Sequence, residues 1–334
     1  MFNSVIVSLD GSELSEKALP YALKLANTLK VKLTLLRVVD VADFPDFTFQ
    51  RGLEDANEYL AYMKKFLAYE RENPLLTIDP DFEVLMGSPA EEICRYVQKE
   101  AGALLVMTTH GRTGFSRLLV GSVAGEVLRK LHLPVLLMRP FGLKQTHTLQ
   151  ELLDAQDEPY ARTFLEDGIR LLVPLDQTAR SEAALEPAFD LAASLHAPVN
   201  LATVFLPPEN NLYGESIALA FSPEEMLRRE EISRDTASGY LHQVTHLAHA
   251  KGVETQAEVL MGDPYVRITE YAAQIEPDLI VMATHARGEV GRLIFGSVAN
   301  KLLQNTHLPV LMVPAPPPGN KAAVAGVAAD NTTF

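Results

Sequence analysis

The chain has 334 residues, 47% of them apolar, with a formal net charge of −14 and a single cysteine, Cys94. That length suits two ordinary domains better than one, and the acidic balance excludes binding of nucleic acid or an anionic membrane by bulk charge. One cysteine excludes an internal disulfide and points to a reducing compartment, the cytoplasm, while no apolar run approaches the roughly 20 residues of a spanning helix.

In chain order the pattern predicts a first strand over 5–9, within an opening "MFNSVIVSLDGS" that carries no signal-peptide pattern. A helix follows over 14–29, a strand over 32–39, a helix over 54–70 and a strand over 82–85. The next helix, 89–100, begins with proline in its first turn. A strand over 104–108, a helix over 122–131 and a strand over 135–138 complete the series. Near-continuous apolar strands alternating with helices predict a mostly parallel sheet covered on both faces.

The series then repeats. Residues 104–138, "LLVMTTHGRTGFSRLLVGSVAGEVLRKLHLPVLLM", align without a gap with 279–313, "LIVMATHARGEVGRLIFGSVANKLLQNTHLPVLMV". "EVLMGSPAEEI" at 83–93 is answered by "EVLMGDPYVRI" at 258–268, and "VIVSLDGSELSEKALPYALKLA" at 5–26 by "LLVPLDQTARSEAALEPAFDLA" at 171–192. The chain is a tandem duplication: a first domain over 1–140, a linker over 141–168, a second domain over 169–315 and a tail over 316–334. The tail, rich in Pro, Ala and Gly without periodicity, is expected to be disordered. Strands of the second copy are expected near 170–175, 199–205, 256–260, 279–283 and 309–313.

Ligands of open α/β sheets bind beyond the carboxyl ends of the strands. Two loops of the first copy fall there. One is Asp10-Gly11-Ser12. The other runs Thr108-Thr109-His110-Gly111-Arg112-Thr113-Gly114 and leads to Gly121-Ser122-Val123 at a helix start. Glycines let backbone N–H groups approach an anion, and a helix start favours negative charge. The plainer alternative makes the glycines turn residues and Ser122 an N-cap. Neither a P-loop nor a Rossmann glycine fingerprint is present.

At these residues the chain resembles the universal stress protein family over nearly all of both copies. ATP-binding members carry G-x2-G-x9-G-[ST] after the fourth strand. The matching positions here are Thr108, Gly111, Gly121 and Ser122, with threonine in place of the first glycine. The resemblance implies strand order 3-2-1-4-5, the adenine-nucleotide α-hydrolase-like arrangement, in two tandem five-stranded sheets. It implies ATP or a related adenine nucleotide as ligand, with Mg or Mn as an accompanying ion. It sets Asp10 on the adenosine side, Val38 against adenine through its backbone, Gly87 after strand 3, and the phosphates at Gly111, Gly121, Ser122 and Val123. The implied role is a stress-linked sensor or regulator.

The second copy departs further. Its matching positions are Asp176, Val204, Gly262, Ala283, Ala286, Gly296, Ser297 and Val298, and Gly11 becomes Gln177. A β-carbon at Ala286 restricts the positive-φ geometry of a glycine loop, so this site is expected to be weak or lost. No general base stands out, and at most slow ATP hydrolysis is expected. A non-nucleotide interaction protein of the same family is the alternative. The apolar last strands, "PVLLM" and "PVLMV", are expected to pair the two domains within the chain, with a homodimer and an unidentified signalling partner left open. His110 and His285 are read as bonding loop backbone, and His132 and His307 as ending helices. Cys94 is read as a buried structural thiol, and His242, His246 and His249 as a solvated helix face rather than a metal site.

Overall fold

The computed structural model describes residues 2–44, 49–69, 78–109, 120–139, 169–206, 222–284 and 296–315. The expected linker and tail lie outside them. The strands are β1 Ser4–Ser8, β2 Lys32–Asp40, β3 Asp81–Gly87, β4 Ala103–Thr108, β5 Val135–Met138, β6 Leu171–Leu175, β7 Val199–Phe205, β8 Thr255–Met261, β9 Leu279–Thr284 and β10 Val310–Pro314. The helices are α1 Glu13–Glu16, α2 Leu19–Leu29, α3 Phe49–Tyr69, α4 Pro89–Lys99, α5 Ser122–Lys130, α6 Leu185–Leu195, α7 Pro223–Ala250, α8 Pro264–Ile275 and α9 Ser297–Asn305.

The first half has strand order β3-β2-β1-β4-β5 and the second β8-β7-β6-β9-β10, so both copies follow 3-2-1-4-5. Within each half all pairings are parallel. The expected two sheets are joined into one of ten strands. The joint is antiparallel, with Leu137 opposite Val310, Leu136 opposite Leu311 and Val135 opposite Met312. Side chains of successive strand residues alternate between faces. Leu136 and Leu311 therefore enter the core under α2, α3 and α6, and their neighbours enter the core under α4, α5, α8 and α9. Each core runs through the joint without a break.

The helix expected over 14–29 is broken. α1 ends at Glu16 and α2 starts at Leu19, with Pro20 in its first turn. Proline has no N–H to donate and its ring crowds the carbonyl four residues back, so a continuous helix is not available through residue 20. α7 is longer than its counterpart α3 and starts with a capping box: Ser222 Oγ accepts from Glu225 N at 3.2 Å, and Glu225 Oε2 accepts from Ser222 N at 2.7 Å. No described helix is long and apolar enough to cross a membrane.

Leu311 is wholly buried at the joint and Leu136 is 1% exposed. Truncating either to alanine leaves a cavity in the shared core and is expected to cost about 2–5 kcal/mol in urea unfolding. A loss below about 1 kcal/mol for both would show that the joint does not hold the halves together.

Candidate functional site

Strand order reverses between β1 and β4, the switch point where an α/β sheet opens a crevice at its carboxyl edge. A cavity of about 500 Å³ lies there, within the usual size of small-molecule sites. Its walls are Ser8 to Asp10 after β1, Arg37 to Asp40 at the end of β2, Asp43 and Phe44, Gly52 and Asp55 of α3, Met107 to Thr109 at the end of β4, and Gly121 to Ala124 at the start of α5.

The loop after β1 is shaped by its own side chains. Asp10 Oδ1 accepts from Ser12 N at 2.9 Å and from Ser12 Oγ at 2.6 Å. Ser15 N donates to Ser12 Oγ at 3.2 Å, and Ser15 Oγ donates to Ser12 O at 2.8 Å. Gly11 takes φ +84° between them, a conformation glycine adopts without strain. Ser12 caps α1 in this way and does not line the cavity.

The start of α5 is arranged differently from the capping alternative. Gly121, not Ser122, occupies the N-cap position, and among the described residues no side chain caps the helix. Gly121 N donates to Thr109 O at 2.6 Å, while Thr109 N donates to Met138 O at 2.8 Å. These two bonds fix the helix start against the end of β4. Ser122, Val123 and Ala124 form the first turn and all three line the cavity. An uncapped first turn presents N–H donors and the positive end of the helix dipole.

Of the candidate residues, Asp10, Val38, Thr108, Gly121, Ser122 and Val123 meet around this one cavity. Gly11, Ser12 and Gly87 are not among its walls. Gly87 instead makes room for Glu92, whose side chain would stand 2.8 Å from a β-carbon there. His110, Gly111, Arg112 and Gly114 lie outside the described residues, as do His285 and Ala286. Asp40, Asp43, Asp55, Arg37, Phe44 and Gly52 were missed. Gly52 lies before the helix expected over 54–70 and falls inside α3 only because that helix starts at Phe49; Phe44 would stand 2.5 Å from a β-carbon there.

Electrostatically the cavity is divided. Four carboxylates line it, Asp10 after β1, Asp40 and Asp43 at and just past the end of β2 and Asp55 on α3, while the start of α5 follows β4, on the other side of β1 from β2. Arg37 is the single basic residue among the described walls. Its guanidinium lies 4.8 Å from the centre of the Tyr59 ring, and Tyr59 donates to Glu16 Oε1 at 2.9 Å. Burial raises the Glu16 carboxyl above its ordinary value, and burial beside Glu16 also pushes the Tyr59 phenol up.

The second half repeats the loop and alters its contents. Asp176 Oδ1 accepts from Thr178 N at 3.0 Å, and Ser181 N donates to Thr178 Oγ1 at 3.3 Å. Gln177 keeps a positive φ of +63° where glycine stood. Val204 lies in β7 at the place of Val38, and Ala283 lies in β9. Gly262 follows β8 at φ +133°, close to Arg267 as Gly87 is to Glu92. Gly296 is the N-cap of α9 at φ +72°, followed by Ser297 and Val298, again with no side-chain cap.

A universal stress protein family model matches residues 1–139 and 170–314. A universal stress protein of Methanocaldococcus jannaschii is 31% identical over 147 residues, 42% of this chain and 83% of that protein. The stress response protein NhaX of Bacillus subtilis is 28% identical over 165 residues, 43% of this chain and 96% of that one. Among solved structures, a universal stress protein from Archaeoglobus fulgidus is similar to 93% of this chain over 98% of its own, with TM-score 0.56 and 18% identity. That last likeness is one of fold.

Elsewhere, His132 and His307 sit two residues beyond the ends of α5 and α9 rather than within them. His242 and His246 lie exposed on α7 with ring centres 4.5 Å apart. Among the described residues no three His, Cys, Asp or Glu side chains are grouped to hold a metal. Cys94 is 5% exposed, and burial pushes its thiol up to about 11. The nucleophile is the thiolate, so a disulfide reagent at pH 7.5 is expected to leave the folded chain unlabelled and to label it in denaturant. Rapid labelling of folded protein would contradict the buried placement.

Proposed function

The chain belongs to the universal stress protein family, and from that premise we propose that its N-terminal half binds ATP or a related adenine nucleotide. The observation that carries the proposal is the meeting of Asp10, Val38 and the uncapped start of α5 around one cavity at the switch point. The charge division supports one orientation. Phosphates are repelled by the Asp40, Asp43 and Asp55 side and drawn to the N–H groups of Ser122 and Val123. The adenosine end then takes the β2 side, against the Val38 backbone, and the loop with His110, Gly111, Arg112 and Gly114 serves the phosphates. Any Mg or Mn arrives with the phosphates, since no grouped ligand set stands among the described residues.

In this reading the protein is a cytoplasmic sensor rather than a turnover enzyme. Nucleotide occupancy sets the conformation or partner choice of the first domain, residues 1–140, while the second, residues 169–315, serves as its paired scaffold. A second reading, an interaction protein without nucleotide, rests on Thr108: it is 7% exposed at the end of β4, where ATP-binding relatives carry glycine.

Ligand-induced melting shifts separate the two. ATP at about 100 times its Kd is expected to add about 2.7 kcal/mol of stability. Gly121 has φ −57°, which any residue can adopt, so Gly121→Glu tests charge at the helix start without backbone strain. It is expected to abolish the shift. Gly296→Glu strains the fold at φ +72°, yet its ATP-induced shift is expected to equal that of wild type. No shift in wild-type protein supports the interaction reading. Equal loss in both variants contradicts the assignment to the N-terminal half.

A further inference from the structure

Two positions change together between the halves. A β-carbon at residue 11 would stand 3.0 Å from Arg37 Cζ and Nη2 and 3.1 Å from Nη1, contacts tighter than side chains normally make. Gly11 therefore leaves open the space that the guanidinium fills. Sheet register aligns Arg37 with Thr203: Val5 pairs with Leu33 in one half and Leu171 with Val199 in the other. There the large residue has moved to the loop. Gln177 holds φ +63°, and its amide nitrogen donates to Thr203 Oγ1 at 3.3 Å. Gly–Arg and Gln–Thr are two packings of one space, built from the loop after the first strand and the end of the second.

The packings differ in charge. In the N-terminal half the space holds a guanidinium, in a crevice lined by Asp10, Asp40, Asp43 and Asp55. In the C-terminal half it holds a neutral amide, and Leu206 stands where the aligned register has Asp40. Arg37 and Asp40 thus have no charged counterpart there, while Asp10 is matched by Asp176. Without Arg37 the described walls of the crevice would be wholly acidic among their charged groups, and an anionic ligand would meet stronger repulsion in a partly enclosed space.

We propose that Arg37 is a positioning residue that sets the charge of the N-terminal crevice, allowing an anionic nucleotide to enter, and that Gly11 is glycine to make room for it. This role rests on the nucleotide reading of the same cavity and adds a discrimination between charged and uncharged nucleosides. Arg37, on its Tyr59 support, offsets the aspartates without touching the phosphates, so its effect falls with ionic strength.

The test compares ATP with adenosine by calorimetry on the full chain at low and high salt. Arg37→Thr is expected to weaken ATP about tenfold at low salt, less at high salt, and to weaken adenosine by a smaller factor that does not change with salt. Arg37→Lys, which keeps the charge, is expected to retain ATP binding. Gly11→Gln alone is expected to lower the melting temperature, and the double variant Gly11→Gln with Arg37→Thr, which copies the second half, to recover it without recovering ATP affinity. Equal weakening of ATP and adenosine, a loss independent of salt, or recovery of ATP affinity by the double variant would each overturn the proposal and make Arg37 a packing residue only. A double variant no more stable than Gly11→Gln would overturn the room-making role of Gly11. Wild-type protein that binds neither ligand would overturn the nucleotide reading and this role with it, a result distinct from a variant effect of the wrong kind.

Discussion

An apolar strand at the end of a sheet must be covered, and in this chain β5 and β10 cover each other. Both are buried along nearly their whole length. Backbone groups left unpaired there would invite another chain. Their antiparallel pairing turns two repeats into one ten-stranded body with two uninterrupted cores. Duplication supplies both partners of the seam at once, which makes a tandem chain its own assembly.

The direction of that pairing also separates the two carboxyl edges. Strands within each half are parallel and the halves meet antiparallel, so the carboxyl edge of one half faces opposite to that of the other. Both backbones keep the same path after the first strand, in matched turns fixed by their own side chains, Asp10–Ser12–Ser15 and Asp176–Thr178–Ser181. Other side chains at the carboxyl edges are under no such restraint. A change from Gly11 and Arg37 to Gln177 and Thr203 moves the large side chain from strand to loop and removes a charge, so the side chains diverge where the fold does not.

The strands were legible because burial on both faces writes them as unbroken apolar runs, and β5 is predicted to the residue at 135–138. The strand order followed from the family resemblance. Pro20 hid its effect: the apolar spacing over 14–29 continues through it, and the break is visible only when the missing N–H is counted against Glu16. The site was partly legible. Asp10, Val38 and Gly121 stand at strand ends and a helix start, where chain order alone brings them close. Asp43 and Asp55 were not, because their convergence depends on how the chain after β2 and α3 lie across it, and Arg37 and Asp40 were not, because polar residues near the end of a strand resemble any other solvated strand end. The identity of the N-cap was lost for the same local reason: Gly121 and Ser122 are adjacent, and only backbone geometry distinguishes which one opens the helix.

The central claim is that a duplicated fold keeps one nucleotide site and uses its other copy as structure. Native mass spectrometry of the full chain with ATP counts bound ligands directly. One adenine nucleotide per 36.7 kDa chain, with no second adduct as ATP is raised past saturation, is the predicted result. Two nucleotides per chain, or none, would contradict it.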